Sequence, residues 1–195
     1  LSHQNPRFSQ IIRLAKSQGV PISVEPRDYL DRLAVGRKHQ GIIGLVAAKS
    51  YTNEDDLLRH AFSEKEPPFL LALDGVEDPQ NLGSVLRTAE VSGIHGVFIP
   101  DRRSVGLTTS VARTSAGALE YLKVARCSNM GKLVERIRAQ EILAIAFDPK
   151  AKKSYTSVDF TGPLMLVFGG EGKGLRPGVT KKCDDCVSLP IRGHV

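Results

Sequence analysis

The sequence predicts an α/β protein built on a mostly parallel sheet with helices on both faces. Three observations lead there. Apolar runs such as 69–73 and 164–168 show no polar alternation, as expected of strands buried on both faces. Other segments carry their apolar residues at helical spacing. The two kinds alternate along the chain, and such alternation assembles parallel sheets.

The first fifty residues read as a small α/β unit. Residues 8–18 place Phe8, Ile11, Ile12 and Ala15 at a helical period, and Gly19 closes the segment. Residues 21–26 are extended between two prolines. A second helix is expected over 27–35, with Leu30, Leu33 and Ala34 inward, and a buried strand over 41–49. The basic residues here (Arg7, Arg13, Lys16, Arg27, Arg32, Arg37, Lys38) suit either phosphates or solvated helix faces. Residues 50–68 turn acidic and polar and end in Pro67-Pro68, which suggests a short helix and a linker.

A larger α/β unit follows. Strand 69–73 ends in an acidic turn from Asp74 to Pro79, and a helix over 81–92 sets Leu82, Val85, Leu86 and Ala89 at core spacing. Further strands are expected at 97–99, 122–125, 142–147, 164–168 and 187–189. Helices are expected at 108–119, 129–139 and 177–182.

Composition narrows the function classes. The chain has 195 residues, 41% hydrophobic and 25% charged, ordinary for a globular protein. Its apolar runs are too short to cross a bilayer, so no membrane role is expected, and no secretory signal opens it. The first residue is Leu1 rather than methionine, so a preceding segment is expected. A net charge of +6 is compatible with a nucleic-acid partner. Three cysteines, an odd number, point to reduced thiols and a cytoplasmic setting, or an organelle. Cys183-x-x-Cys186 is half a zinc site without a second pair, so no metal is expected.

Two motifs carry chemistry. The first is LMLVFGGEGKGL, residues 164–175, a buried strand running straight into a glycine turn. Ligands of open α/β sheets bind beyond the carboxyl ends of strands, where glycine lets them approach bare peptide groups. The turn is not a P-loop, because Gly174 rather than Ser or Thr follows Lys173, and GGEGKG does not fit G-x-G-x-x-G. A ligand turn and a packing turn both remain open from this segment alone. The second motif is DGVEDPQNLGSVLRTAE, residues 74–90. Asn81 is expected to cap the helix, and Gly83 and Arg87, four apart, to share a face with room for a ligand or partner chain.

Taken together, these segments resemble the SpoU (TrmH-like) branch of the SPOUT RNA methyltransferases. Residues 74–89 are similar to the family's first motif, LVFGGEGKGL to the second, and LPIRGHV (189–195) to the opening of the third. The SAGA run at 115–118 matches as well. Residues 37–42, RKHQGI, resemble the end of the L30e-like domain of bacterial 23S rRNA guanosine 2′-O-methyltransferases. The resemblance implies a trefoil-knotted α/β domain over 69–195, a linker over 51–68, and a partial L30e-like RNA-binding domain over 1–50. It implies S-adenosylmethionine as cofactor, a homodimer with active sites near the subunit interface, and methylation of a guanosine in 23S rRNA. A tRNA 2′-O-methyltransferase and a non-catalytic RNA-binding module are the alternatives. Asn81, Arg87 and Glu171 fall on the family's catalytic positions, and Gly169, Gly170, Gly174, Leu189 and Ile191 on its cofactor-binding ones. The family's third motif continues with a Ser-Leu-Asn segment, and this sequence ends at Val195 before reaching it.

Overall fold

The structure, a computed structural model, describes residues 6–36, 38–47 and 49–193. The chain divides into two compact units, Leu1–Ala47 and Ala48–Val195.

In the first unit, α1 (Pro6–Ser17) and α2 (Arg27–Ala34) form where the apolar periods place them. Neither buries a residue fully, and Ile11, Ile12 and Leu33 are exposed. The strand expected over 41–49 is absent: the described residues of that stretch are irregular, with Leu45 86% and Val46 87% exposed. An apolar run becomes a buried strand only beside strands that pair with it, and the described residues of this unit contain none. Arg37 lies outside the described residues, as does Val195.

The second unit opens with α3 (Glu54–Ser63), capped by Asn53, whose side chain accepts from the Asp55 N–H at 2.8 Å. This helix, expected within a linker, sends Leu57, Leu58 and Ala61 into the core of the unit. Arg136 holds its first turn, 3.5 Å from Glu54 and 3.0 Å from Asp55.

After α3 come β1 (Phe69–Asp74), α4 (Pro79–Val91), β2 (Gly96–Pro100), α5 (Thr109–Thr114), β3 (Val124–Cys127), α6 (Met130–Arg138) and β4 (Leu143–Phe147). The chain closes with β5 (Lys153–Ser154), β6 (Leu164–Gly169), α7 (Pro177–Thr180) and β7 (Asp185–Ser188). Among the described residues, the seven strands join one parallel sheet in the order β3-β2-β1-β6-β4-β7-β5. Its central strands alternate between two apolar layers. Leu70 and Ala72 of β1 face a layer with α3 and α6, while Leu71 and Leu73 face one with α4 and α5. This explains the lack of polar alternation, since neither face of β1 meets water.

One expected helix is shorter than its pattern. Residues 108–119 break after Thr114, because Ala116 and Gly117 take positive φ (51° and 95°), and a single 3-10 turn (Ala118–Glu120) follows.

Candidate active site

The chain places β1, β2 and β3 successively toward one edge and β4 on the other side of β1. It then threads β6 back between β1 and β4. The direction of winding changes at β1 and β6, and ligands of open α/β sheets collect at the carboxyl end of such a switch. Both motifs meet there. The first motif leaves β1 at Asp74, and the glycine turn leaves β6 at Gly169, its partner in register.

The turn is drawn tightly against the first motif. The Gly170 N–H donates to the Asp74 carbonyl at 3.1 Å, and the Gly174 N–H to the Gly170 carbonyl at 3.0 Å. A Cβ on Gly169 would lie 2.0 Å from the Gly174 carbonyl carbon, and one on Gly170 would lie 1.9 Å from the Gly75 oxygen. Those neighbours are backbone and cannot swing aside, so both positions require glycine. Gly174 takes φ of 62°. Gly172, at the tip, meets nothing within 4 Å of where its Cβ would be, so peptide groups there lie open to a ligand.

On the other side of the site, α4 begins two residues earlier than expected. Asp78 is its N-cap, accepting from the N–H groups of Gln80 (2.6 Å) and Asn81 (3.0 Å), and Pro79 takes the first helical position. Asn81 is therefore not the cap. Its side chain, free of that task, donates to the Glu171 carboxylate at 2.7 Å and ties the tip of the turn to the helix.

Gly83 and Arg87 also depart from expectation. The space beside Gly83 belongs to α5: a Cβ there would lie 1.9 Å from the Thr114 hydroxyl oxygen. No ligand fits on that side. Arg87 is exposed, and no hydrogen bond or ion pair joins its side chain to another described residue. Glu171 contacts Asn81 and not Arg87.

Leu189 and Ile191 follow β7 and are 46% and 67% exposed. Phe147 of β4 is level with both Phe168 and Val187, so Gly169 and Ser188 emerge at one height on the same sheet edge. Two strand spacings, roughly 10 Å, separate them. Between them Phe147 and Phe168 stack with ring centroids 4.5 Å apart.

Sequence reasoning did not single out Asp74 or Arg176. Asp74, 3% exposed, receives the Arg176 Nε–H at 2.9 and 3.0 Å and a further hydrogen bond from Nη2. The carboxylate beside it raises the Arg176 guanidinium above its ordinary pKa. An acidic residue closing an otherwise apolar strand was the available signal, but its partner lies 102 residues away.

Thiol chemistry does not fit the site. Burial pushes Cys127 and Cys183 up to about 12 and raises Cys186 as well, which removes the thiolate that a nucleophile needs. Among the described residues no cluster of His, Cys, Asp or Glu could hold a metal ion, and no helix is long and apolar enough to cross a membrane.

Known proteins share this sequence pattern and fold. Residues 68–195 match the SpoU rRNA Methylase family, and residues 1–52 match the RNA 2′-O ribose methyltransferase substrate-binding family. A Bacillus subtilis protein described as a TrmH family tRNA/rRNA methyltransferase, YacO, is 45% identical over 95% of this chain and 74% of its own length. A Mycolicibacterium vanbaalenii protein described as an uncharacterized tRNA/rRNA methyltransferase is 38% identical over 96% of this chain, which spans 60% of that protein. The SpoU methyltransferase AviRb of Streptomyces viridochromogenes, solved in complex with AdoMet, superposes with a TM-score of 0.65 and 25% identity, over 74% of this chain and 57% of AviRb. An rRNA methyltransferase from Sinorhizobium meliloti shares the fold over 95% of this chain and 70% of its own, with a TM-score of 0.78 and 22% identity. By the family match over most of its length, this chain belongs to the SpoU rRNA Methylase family.

Proposed function

We propose that this chain carries the catalytic centre of an S-adenosylmethionine-dependent RNA 2′-O-ribose methyltransferase acting on a guanosine of 23S rRNA. The observation that carries the reading is the bare glycine turn at the carboxyl edge of the sheet, moored to the first motif through Asn81 and Glu171. The cofactor of AviRb and the substrate-binding match over residues 1–52 support it.

The residues present fit such a cofactor. Positions 169–174 present peptide N–H and carbonyl groups instead of side chains, which suits a ligand recognised by backbone hydrogen bonds. Leu189 and Ile191 add exposed apolar surface at the same edge for its uncharged parts. Gly169, Gly170, Gly174, Leu189 and Ile191 would hold it. When bound, S-adenosylmethionine supplies a methyl group on a positively charged sulfur.

The chain's own residues orient the acceptor and manage its charge. Alignment of reactants can supply roughly 7–11 kcal/mol of a barrier, so holding the turn in one shape favours the reaction. A guanidinium keeps its charge under ordinary conditions and is a poor base. We assign Arg87 to steadying the developing ribose oxyanion and a neighbouring phosphate, with water or a carboxylate taking the 2′-OH proton. Its exposed, unpartnered side chain leaves it free for RNA or for a second copy of the chain in a homodimer. Asn81 and Glu171 hold the turn against α4, and the first unit supplies RNA affinity through shape, phosphate and 2′-OH contacts.

Radiolabelled methyl transfer onto 23S rRNA, followed by mapping of the modified ribose, tests the proposal. Label on a guanosine 2′-oxygen supports it. The relatives are described as acting on tRNA or rRNA, so label on tRNA alone would establish that alternative. RNA binding without S-adenosylmethionine binding would leave a non-catalytic module.

A further inference from the structure

Asp74 is the one buried charged side chain among the described residues. An isolated carboxylate in that position would be costly, and even a well-made buried ion pair contributes little net stability. Its placement accounts for it better than its energy does. The Asp74 carbonyl accepts from Gly170 N–H at 3.1 Å, at the start of the turn. Its carboxylate accepts from the backbone N–H of Arg176 at 3.3 Å, at the end of the turn, and from the Arg176 side chain. One residue of β1 thus grips both ends of the glycine turn. Arg176 is also the N-cap residue of α7, where a guanidinium, which only donates, has no capping role. Its guanidinium is committed to Asp74.

We propose that Asp74 and Arg176 are positioning residues that hold the turn at 170–175 in the shape that receives the cofactor. This inference rests on reading the turn as the S-adenosylmethionine site. The chemistry favours a planar fork over a simple cation, because the Nε and Nη2 donors both address the carboxylate. Glycines at 169, 170, 172 and 174 leave the turn little rigidity of its own. The clamp supplies what the composition lacks.

The test compares Asp74→Asn, Arg176→Gln, Arg176→Lys and the Asp74→Asn/Arg176→Gln double variant with the unaltered protein. Amide hydrogen exchange at 170–175, S-adenosylmethionine affinity by calorimetry, and KM and kcat are measured for each. Each single variant should speed exchange in the turn and weaken cofactor affinity about tenfold, the scale of a hydrogen bond to a charged group. KM for the cofactor should rise in step while kcat at saturation stays within about twofold. The double variant should be no worse than the weaker single one, and Arg176→Lys should recover part of the loss.

Unchanged exchange at 170–175 in Arg176→Gln overturns the clamp. Weakened affinity in Arg176→Gln but not in Asp74→Asn also overturns it, by showing that the guanidinium touches the cofactor itself. Should Asp74→Asn fail to fold, Arg176→Gln and Arg176→Lys decide the matter, because that side chain is half exposed. If the unaltered protein binds no S-adenosylmethionine while the exchange response is intact, the proposed function falls and the clamp is reduced to holding a packing turn.

Discussion

The helices α1 and α6 show how differently the two units use the same kind of pattern. Both carry apolar residues at helical spacing, and both form. In α6, Leu133, Val134 and Ile137 are buried against the sheet; in α1, Ile11 is 47% and Leu14 62% exposed. Periodicity decides that a segment coils and which face is apolar. Burial, the larger source of stability, depends on a surface that the segment does not contain. The second unit has that surface in its sheet, and the first unit, among its described residues, has no strand.

The sharpest way to break this contrast is a pair of glycine substitutions. Gly170→Ala places a methyl group where the Gly75 carbonyl already sits. It should cost about 3 kcal/mol, the upper end for overpacking because the blocking atoms are backbone, and abolish cofactor binding in calorimetry. Gly44→Ala, in the first unit, meets nothing within 4 Å, and its thermal midpoint should stay within about 1 °C of the unaltered protein's.

A second pair compares the helices directly. Ile137→Ala should lower the denaturant stability of the second unit by about 2–4 kcal/mol, because it empties a fully buried site. Ile11→Ala should change stability by less than about 1 kcal/mol. Equal losses would show that the face of α1 is as well packed as that of α6.

Smaller effects separate the helix starts. Asn129 caps α6 by accepting from the Lys132 N–H at 3.1 Å, whereas Pro26, before α2, offers no side-chain cap. Asn129→Ala should cost about 1 kcal/mol in denaturant unfolding. Pro26→Asp should leave α2 unharmed or raise its helicity slightly by circular dichroism.

The effect that is smallest at neutral pH, where it vanishes, is a pH dependence of the second unit. Burial raises Cys127 and Cys183 from 9.0 to about 12 in the folded chain. Their contribution is complete below pH 9. As pH climbs toward 12 the unfolded thiols ionise while the folded ones do not, so stability is lost in that window. A Cys127→Ala/Cys183→Ala variant should show a flatter stability curve between pH 9 and 11. At pH 8 both thiols should resist alkylation until the protein is unfolded.

Much of the second unit was legible in the sequence for a local reason. β1, β6 and the glycine turn announce themselves through apolar runs and breakers, which act on neighbouring residues. The start of α4 differs from the sequence expectation because Asp78 and Asn81 are both good caps. Asp78 directly precedes Pro79, which suits the first helical position, so it takes the role and releases Asn81 to meet Glu171. The strand expected at 41–49 failed on burial, not on composition, since nothing within the run says what lies beside it.

From the sequence alone came the fold class, the turn chemistry, the family resemblance and the residue types at the site. The fold class and the turn chemistry follow from interactions within a few residues, where backbone sterics and side-chain periodicity are sufficient, and the resemblance rests on the motifs at 74–89, 164–175 and 189–195. Only the tertiary structure decided that β6 enters between β1 and β4, that Thr114 fills the space beside Gly83, and that Asp74 grips Arg176. Each of these joins segments far apart in the chain, and such pairings depend on loop closure and on competition among many possible partners.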